Sequence, residues 1–223
     1  TGGFTALESK YSSISTGKNL NGKIYGEVLI EYPGKTADDL IREWIQIIAD
    51  NSQDPAKLGT PAVYTTEDGV DLSQMINKVL IGTVPYYQAT GKYLTLLFDK
   101  GNSAAKEGKT YTDMEHYWDE AFGYFGAARD YNTYSDSDIK GKVNKDSNSD
   151  GKINYNSEYN FSLAVGAAKR DVGSTSGTVD LTGDIFTAFL TGRALITAEG
   201  AQEDIAVHQV AAAEGMEKVI AAT

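Results

Sequence analysis

Asp146-Ser-Asn-Ser-Asp-Gly-Lys-Ile-Asn-Tyr-Asn-Ser-Glu158 has the grammar of a calcium loop. Side chains carrying oxygen recur at every second residue, Asp146, Asn148 and Asp150, so they can converge on one hard cation. Gly151 supplies the sharp turn that follows, and Lys152 can offer its backbone carbonyl. Asn154 stands where a direct or water-bridged ligand is usual, and Ile153 is the apolar residue that pins such a loop to a core. The departure from an EF-hand comes at the end. A bidentate carboxylate belongs at Ser157, and it arrives one residue later, at Glu158. Either the loop is one residue longer, with Glu158 closing the shell, or the site is weaker than that of a calcium sensor. The competing reading is a solvated turn of Asx and Gly residues between two helices. The expected cofactor is therefore calcium, held by Asp146, Asn148, Asp150, Lys152, Asn154 and Glu158.

Downstream of the loop, Ser157 reads as the N-cap of a helix running to about residue 170. Gly173-Ser-Thr-Ser-Gly177 is a flexible link, and two further helices span about 182–198 and 201 to the end, divided at Gly200. Upstream, residues 129–156 are irregular. Before them a capping box of Thr112 and Glu115 opens a helix over 113–128. Gly108-Lys-Thr110 invites a phosphate-loop reading, but that motif needs glycine where Ser103 stands. Apolar residues recur at helical spacing from Leu72 to Phe98, with Gly82 and Pro85 marking a kink or a junction of two helices. A second capping box, Thr36 with Asp39, opens a helix to about residue 50. Residues 1–35 form an arm in which 23–32 can be a strand or extended chain. The pattern specifies one all-α domain over 1–223, a multi-helix bundle of about six helices with an irregular N-terminal arm and an EF-hand-like calcium loop.

Composition narrows the function classes. A net charge of −11 and no cysteine speak against a nucleic-acid surface, a disulfide scaffold or a thiolate metal site. No apolar run reaches the length of a membrane span, and no signal peptide is visible. The chain opens at Thr1 without methionine and ends inside a helical pattern, which leaves room for a removed leader and for residues beyond Thr223. Neither a His-Glu-x-x-His motif nor a glycine-flanked serine is present, so no catalytic constellation emerges.

A second candidate site lies on the 113–128 helix. His116 and Glu120, one turn apart, can ligate a transition metal, and Gly123 one turn on can admit a neighbouring backbone. Asp204 and His208 repeat the carboxylate–histidine pairing on the last helix, so two histidines and two carboxylates meet if those helices pack together. The plainer reading is a solvated polar face with His116 ion-paired to Glu120.

Four peptides carry a resemblance: Thr112-Asp-Met-Glu-His-Tyr-Trp-Asp-Glu-Ala-Phe-Gly-Tyr-Phe-Gly126, the segment Asp146 to Gly151, Ser157-Glu-Tyr-Asn-Phe161 and Ala167-Ala-Lys-Arg-Asp171. With Val179-Asp-Leu-Thr and Ala188-Phe-Leu-Thr-Gly-Arg193, they resemble an uncharacterised family of bacterial cell-envelope proteins from about Tyr32 onward. Members of that family are often lipoproteins encoded near imelysin-like proteins and outer-membrane uptake systems. The resemblance implies a periplasmic, outer-membrane-anchored or extracellular location, a fold akin to imelysins and a partner in the envelope. It supplies no catalytic residues. Three functional expectations follow. The first is a non-enzymatic calcium-binding protein with a binding, uptake or structural role. The second is a metal-dependent enzyme or an iron- or copper-handling protein using His116, Glu120, Asp204 and His208. The third is an adhesive or assembly module, rigidified by calcium, with Tyr131, Tyr134, Tyr155 and Tyr159 as contact anchors.

Overall fold

A computed structural model describes residues 20–171 and 179–222. Among them the chain forms seven α-helices, a π-helix and short 3-10 turns, with no strand. In chain order these are α1 (Ala37–Asn51), α2 (Leu72–Ile81), the π-helix Gly82–Leu94, α3 (Asp113–Phe125), α4 (Asp136–Lys140), α5 (Ser162–Asp171), α6 (Leu181–Thr197) and α7 (Gln202–Ala221). The all-helical expectation holds. The helix not anticipated is α4, whose single turn is too short to show a period but carries its own capping box, Ser135 with Asp138. Residues 23–32 stay irregular and make one isolated bridge, Val28 with Thr36. The rest of the arm, 1–19, and the predicted link at 173–177 lie outside the described residues.

Helix starts are fixed by local chemistry. Both predicted capping boxes are present, Thr36 with Asp39 and Thr112 with Glu115. In addition, each of the first three helices has its N-cap residue held in an isolated bridge to the preceding loop: Thr36 to Val28, Asp71 to Thr65, and Thr112 to Ala105. An N-cap needs extended backbone while its side chain turns back to the helix. Pairing that residue across a bridge holds it extended.

The Gly82–Pro85 irregularity is resolved as a change of helix type. α2 runs to Ile81, and the wider π-helix carries the chain on through Leu94. Pro85 lacks the N–H that an α-helix would use there. Two hydrophobic clusters result. Leu40, Trp44 and Leu72 join α1 to α2, and a larger core gathers the π-helix, α3, α5, α6 and α7.

Helices α3 and α6 lie antiparallel at the centre of that core. Trp118 is buried and donates its indole N–H to the carbonyl of Phe189 at 2.9 Å. The ring lies on Gly192, where a Cβ would fall 2.2 Å from Cζ2 of Trp118. Glycine there is a packing requirement. Gly123, also helical, has open space around its missing Cβ, so no backbone approaches it as the sequence suggested. Alanine at these two glycines should therefore act with opposite signs. Gly192→Ala should cost about 1–3 kcal/mol of stability through overpacking. Gly123→Ala should be neutral or stabilise by up to about 1 kcal/mol through helix propensity. Denaturant melts of the two variants measure the contrast.

Candidate functional site

The 146–158 loop is wound by side-chain acceptors. Asp146 takes the amide of Asp150 on Oδ1 at 3.1 Å and that of Gly151 on Oδ2 at 2.7 Å. Asn148 Oδ1 accepts the same Asp150 amide at 3.0 Å, and Asp150 Oδ1 accepts from Lys152 at 2.9 Å. Gly151 has φ 80°, the sharp turn expected after Asp150, and Ser149 before it also has positive φ, 59°. A carboxylate has about four lone-pair directions, so these bonds leave acceptor capacity on Asp146 and Asp150.

Glu158 closes the loop from inside. Its side chain is 1% exposed. Oε1 accepts from the amide and hydroxyl of Ser147, at 3.0 and 2.7 Å, and from the amide of Asn148 at 3.2 Å. Oε2 accepts the amide of Asn154 at 2.9 Å. The Asn154 amide foremost, then the Ser147 hydroxyl, hold its carboxyl below the ordinary value against the opposing effect of burial. Because Glu158 is drawn into the loop, Ser157 caps nothing and α5 begins only at Ser162. With Ser157 as N-cap the predicted helix began at 158, four residues early. The intervening chain instead makes a strap across the end of α3: Arg129 N–H donates to Ser157 O at 2.8 Å, Phe161 N–H to Gly126 O at 2.8 Å, and Ala128 N–H to Asn160 Oδ1 at 2.7 Å. Gly126 ends α3 with φ 87°, and a Cβ there would meet the Phe161 carbonyl oxygen at 2.6 Å.

The strap forms one wall of a cleft of about 560 Å³. The strap contributes Tyr155, Asn156, Tyr159 and Phe161. α3 presents Trp118, Asp119 and Phe122, and α6 presents Phe186, Phe189, Leu190 and Arg193. Tyr155 meets Tyr159 edge-on at 5.1 Å, and Tyr159 stacks on Phe161 at 6.2 Å, so the wall is an aromatic ladder. Leu190, Tyr155 and Phe161 are 59%, 48% and 43% exposed, and all three border this one cleft. The four tyrosines proposed as contact anchors thus divide. Tyr131 and Tyr134 are core residues, at 2% and 8% exposure, while Tyr155 and Tyr159 face the cleft.

At the other end of the cleft Arg193 ties α6 to α3. Its Nε donates to Asp119 Oδ1 at 2.7 Å, its Nη1 to Glu115 Oε1 at 2.6 Å, and Nη1 also meets Thr197 Oγ1. Glu115 serves two ends at once, since its Oε2 accepts the Thr112 amide that completes the capping box. Burial raises its pKa, yet hydrogen bonds from Thr112, Thr197 and Arg193 together hold the carboxyl below its ordinary value. In the sequence Asp119 and Arg193 stand out only as members of the peptides 112–126 and 188–193, with nothing to pair them. The available signal was two carboxylates one turn apart on α3 facing a single arginine beside a glycine.

The second candidate site does not assemble. His116 Nε2 stands 4.0 Å from Glu120 Oε1, both side chains partly exposed, and Tyr111 stacks on the imidazole at 5.5 Å. Asp204 and His208 are not brought to them, because α7 packs chiefly on α6 and also on the π-helix and α5. Among the described residues no group of three or more His, Asp or Glu side chains comes together as a metal-holding set. His116 and Glu120 are partly buried and both border a second, shallower hollow.

The loop geometry carries a pH prediction. A carboxylate whose folded pKa is depressed contributes stability that is present above its unfolded value and lost as pH falls through the folded one. For Glu158 the loss begins below its ordinary 4.5. Glu158→Gln should lower the melting temperature by several degrees at pH 7, and the gap to the wild type should shrink as pH falls below about 4.5, near the free glutamate value. Thermal melts from pH 7 to pH 3 measure it; a gap independent of pH means that the charge of Glu158 does not matter.

Among the described residues no helix is long and apolar enough to cross a membrane. No curated protein and no solved structure matches the chain. One family model does, described as a domain of unknown function (DUF4856), and its match spans residues 35–222 and begins beside the N-cap of α1. The chain belongs to that family.

Proposed function

We propose that this is a calcium-clamped binding protein of the bacterial envelope, whose ligand occupies the aromatic cleft between α3, α6 and the strap. Asp146, Asn148, Asp150, the Lys152 carbonyl and Asn154 are the calcium ligands. Glu158 positions them from beneath, since its Oε1 already serves three donors. The observation that carries the reading is the continuity of loop and wall. The carboxylate that closes the loop belongs to the segment 155–161 that builds the aromatic ladder. A cation that orders the loop therefore orders one side of the cleft.

The envelope location rests on fit between site and compartment. A site with an irregular twelfth position belongs toward the weak end of the calcium range, with a dissociation constant on the order of 10⁻⁵ to 10⁻³ M. Such a site fills where free calcium is high, outside the cytoplasm. An acidic chain without cysteines suits the same setting.

At free calcium a hundred times the dissociation constant, binding to the folded state alone adds about 2.7 kcal/mol. Chelation should therefore lower the melting temperature by several degrees and open residues 142–157 to protease, while the helical signal persists. Asp150→Ala should reproduce this without chelator. Asp68→Ala, at an exposed turn between α1 and α2, should not. Calcium titration calorimetry, with proteolysis of the two variants, gives the result. If chelator changes neither melting nor cleavage and Asp150→Ala is silent, the loop is a turn held by its own hydrogen bonds.

A further inference from the structure

The cleft has a polar end as well as an aromatic wall. The chain holds four arginines, and three are engaged: Arg42 with Asp38, Arg170 with the Ala222 carbonyl, and Arg193 with Asp119 and Glu115. Arg129 borders the cleft, and among the described residues its guanidinium has neither a hydrogen-bond nor an ion-pair partner. Its backbone is fixed, because its N–H donates to Ser157 O at 2.8 Å and the next residues enter the turn at Tyr131. In a chain of net charge −11 an unpaired arginine beside a cleft finds anionic side chains readily, and this one has none. The other charges on the rim, Asp119 and Arg193, pair with each other, and Arg193 also binds Glu115.

We propose that the cleft takes a small organic anion with a flat apolar body, an aryl or similarly planar carboxylate or sulfonate. The body lies against Tyr159, Phe161 and Leu190, and the anionic group pairs with Arg129. The volume of about 560 Å³ suits a ligand of two or three fused or linked rings. Aromatic side chains favour a flat partner through edge and offset contacts. The guanidinium fork matches the geometry of a carboxylate or sulfonate oxygen pair. This inference rests on the proposed role of the cleft as the ligand site, and the test separates the two.

The probes are 8-anilinonaphthalene-1-sulfonate and its neutral relative N-phenyl-1-naphthylamine, titrated by fluorescence in calcium buffer. Both should bind at one site per chain. Arg129→Gln should weaken the sulfonate by about fivefold while changing the neutral dye less than about twofold, as one charge-assisted contact from an exposed arginine allows. Added salt should weaken the sulfonate alone. Leu190→Asp, at an exposed position that folding should tolerate, should weaken both dyes, with melting curves confirming that each variant folds. Equal effects of Arg129→Gln on the two dyes overturn the anion assignment and leave the cleft as an apolar site. If neither dye binds, or Leu190→Asp leaves both unchanged, the cleft is not the ligand site and the assignment falls with it.

Discussion

A buried carboxylate held by backbone amides and a hydroxyl, with no cationic side chain paired to it among the described residues, is the constraint on which the functional half of this molecule depends. Taking an ionised carboxyl out of water is costly unless hydrogen bonds replace the lost hydration. Glu158 meets that requirement with three amides and a hydroxyl, drawn from both ends of one loop. The same bonds that solvate the charge also bring residues 147 and 148 to 154. The loop is thus closed by the need to satisfy an anion, and the backbone leaving it is committed before α5 begins. The strap, the aromatic ladder and the late helix start all descend from this.

The opposite side of the cleft is held by a different balance. The antiparallel pair α3 and α6 is drawn together where Trp118 rests on Gly192, and ring contacts of Phe122 with Phe186 and Phe189 continue the packing. Toward the N-terminal end of α3, the Arg193 bonds to Asp119 and Glu115 fix the register. Exposed ion pairs contribute little by themselves. This cluster gains from Glu115, which is nearly buried and also caps its own helix, so that losing Arg193 would leave a carboxylate with fewer donors. Among the described residues, the strap spans from the end of α3 to α5 and leaves the space beside Phe122 and Leu190 as the cleft.

What the sequence made legible is what local chemistry controls. The capping boxes at Thr36 and Thr112 were readable because their donors and acceptors lie within four residues. The Gly82–Pro85 break was readable because proline lacks a donor wherever it stands, although the π form that follows depends on packing against α3. The loop acceptors at Asp146, Asn148 and Asp150 were readable from spacing. Three features were not. The start of α5 moved because Glu158 found donors ten and eleven residues upstream as well as at Asn154, which helix propensity cannot register. The pairing of Arg193 with Glu115 spans 78 positions. The four tyrosines of 129–160 share one composition, but Tyr131 reaches the Ala164 carbonyl at 2.7 Å in the core while Tyr155 stays on the surface. Burial of an aromatic ring is decided by what the fold places against it.

The proximity of loop and cleft has a thermodynamic consequence under the proposed function. Coupling between two sites is reciprocal, so whatever calcium adds to the affinity of the cleft, a cleft ligand adds to the affinity for calcium. The route here is short and covalent. Asn154 donates to Glu158, Tyr155 follows it, and Tyr155 meets Tyr159 across the turn. Ordering a residue costs about 1–2 kcal/mol of backbone entropy, so two ligands that both need 154–161 fixed share that cost. The sharing is confined to the strap wall. The α3 and α6 walls are set by core packing and by the bonds of Arg193 to Asp119 and Glu115, so calcium can tune the cleft without being needed to form it.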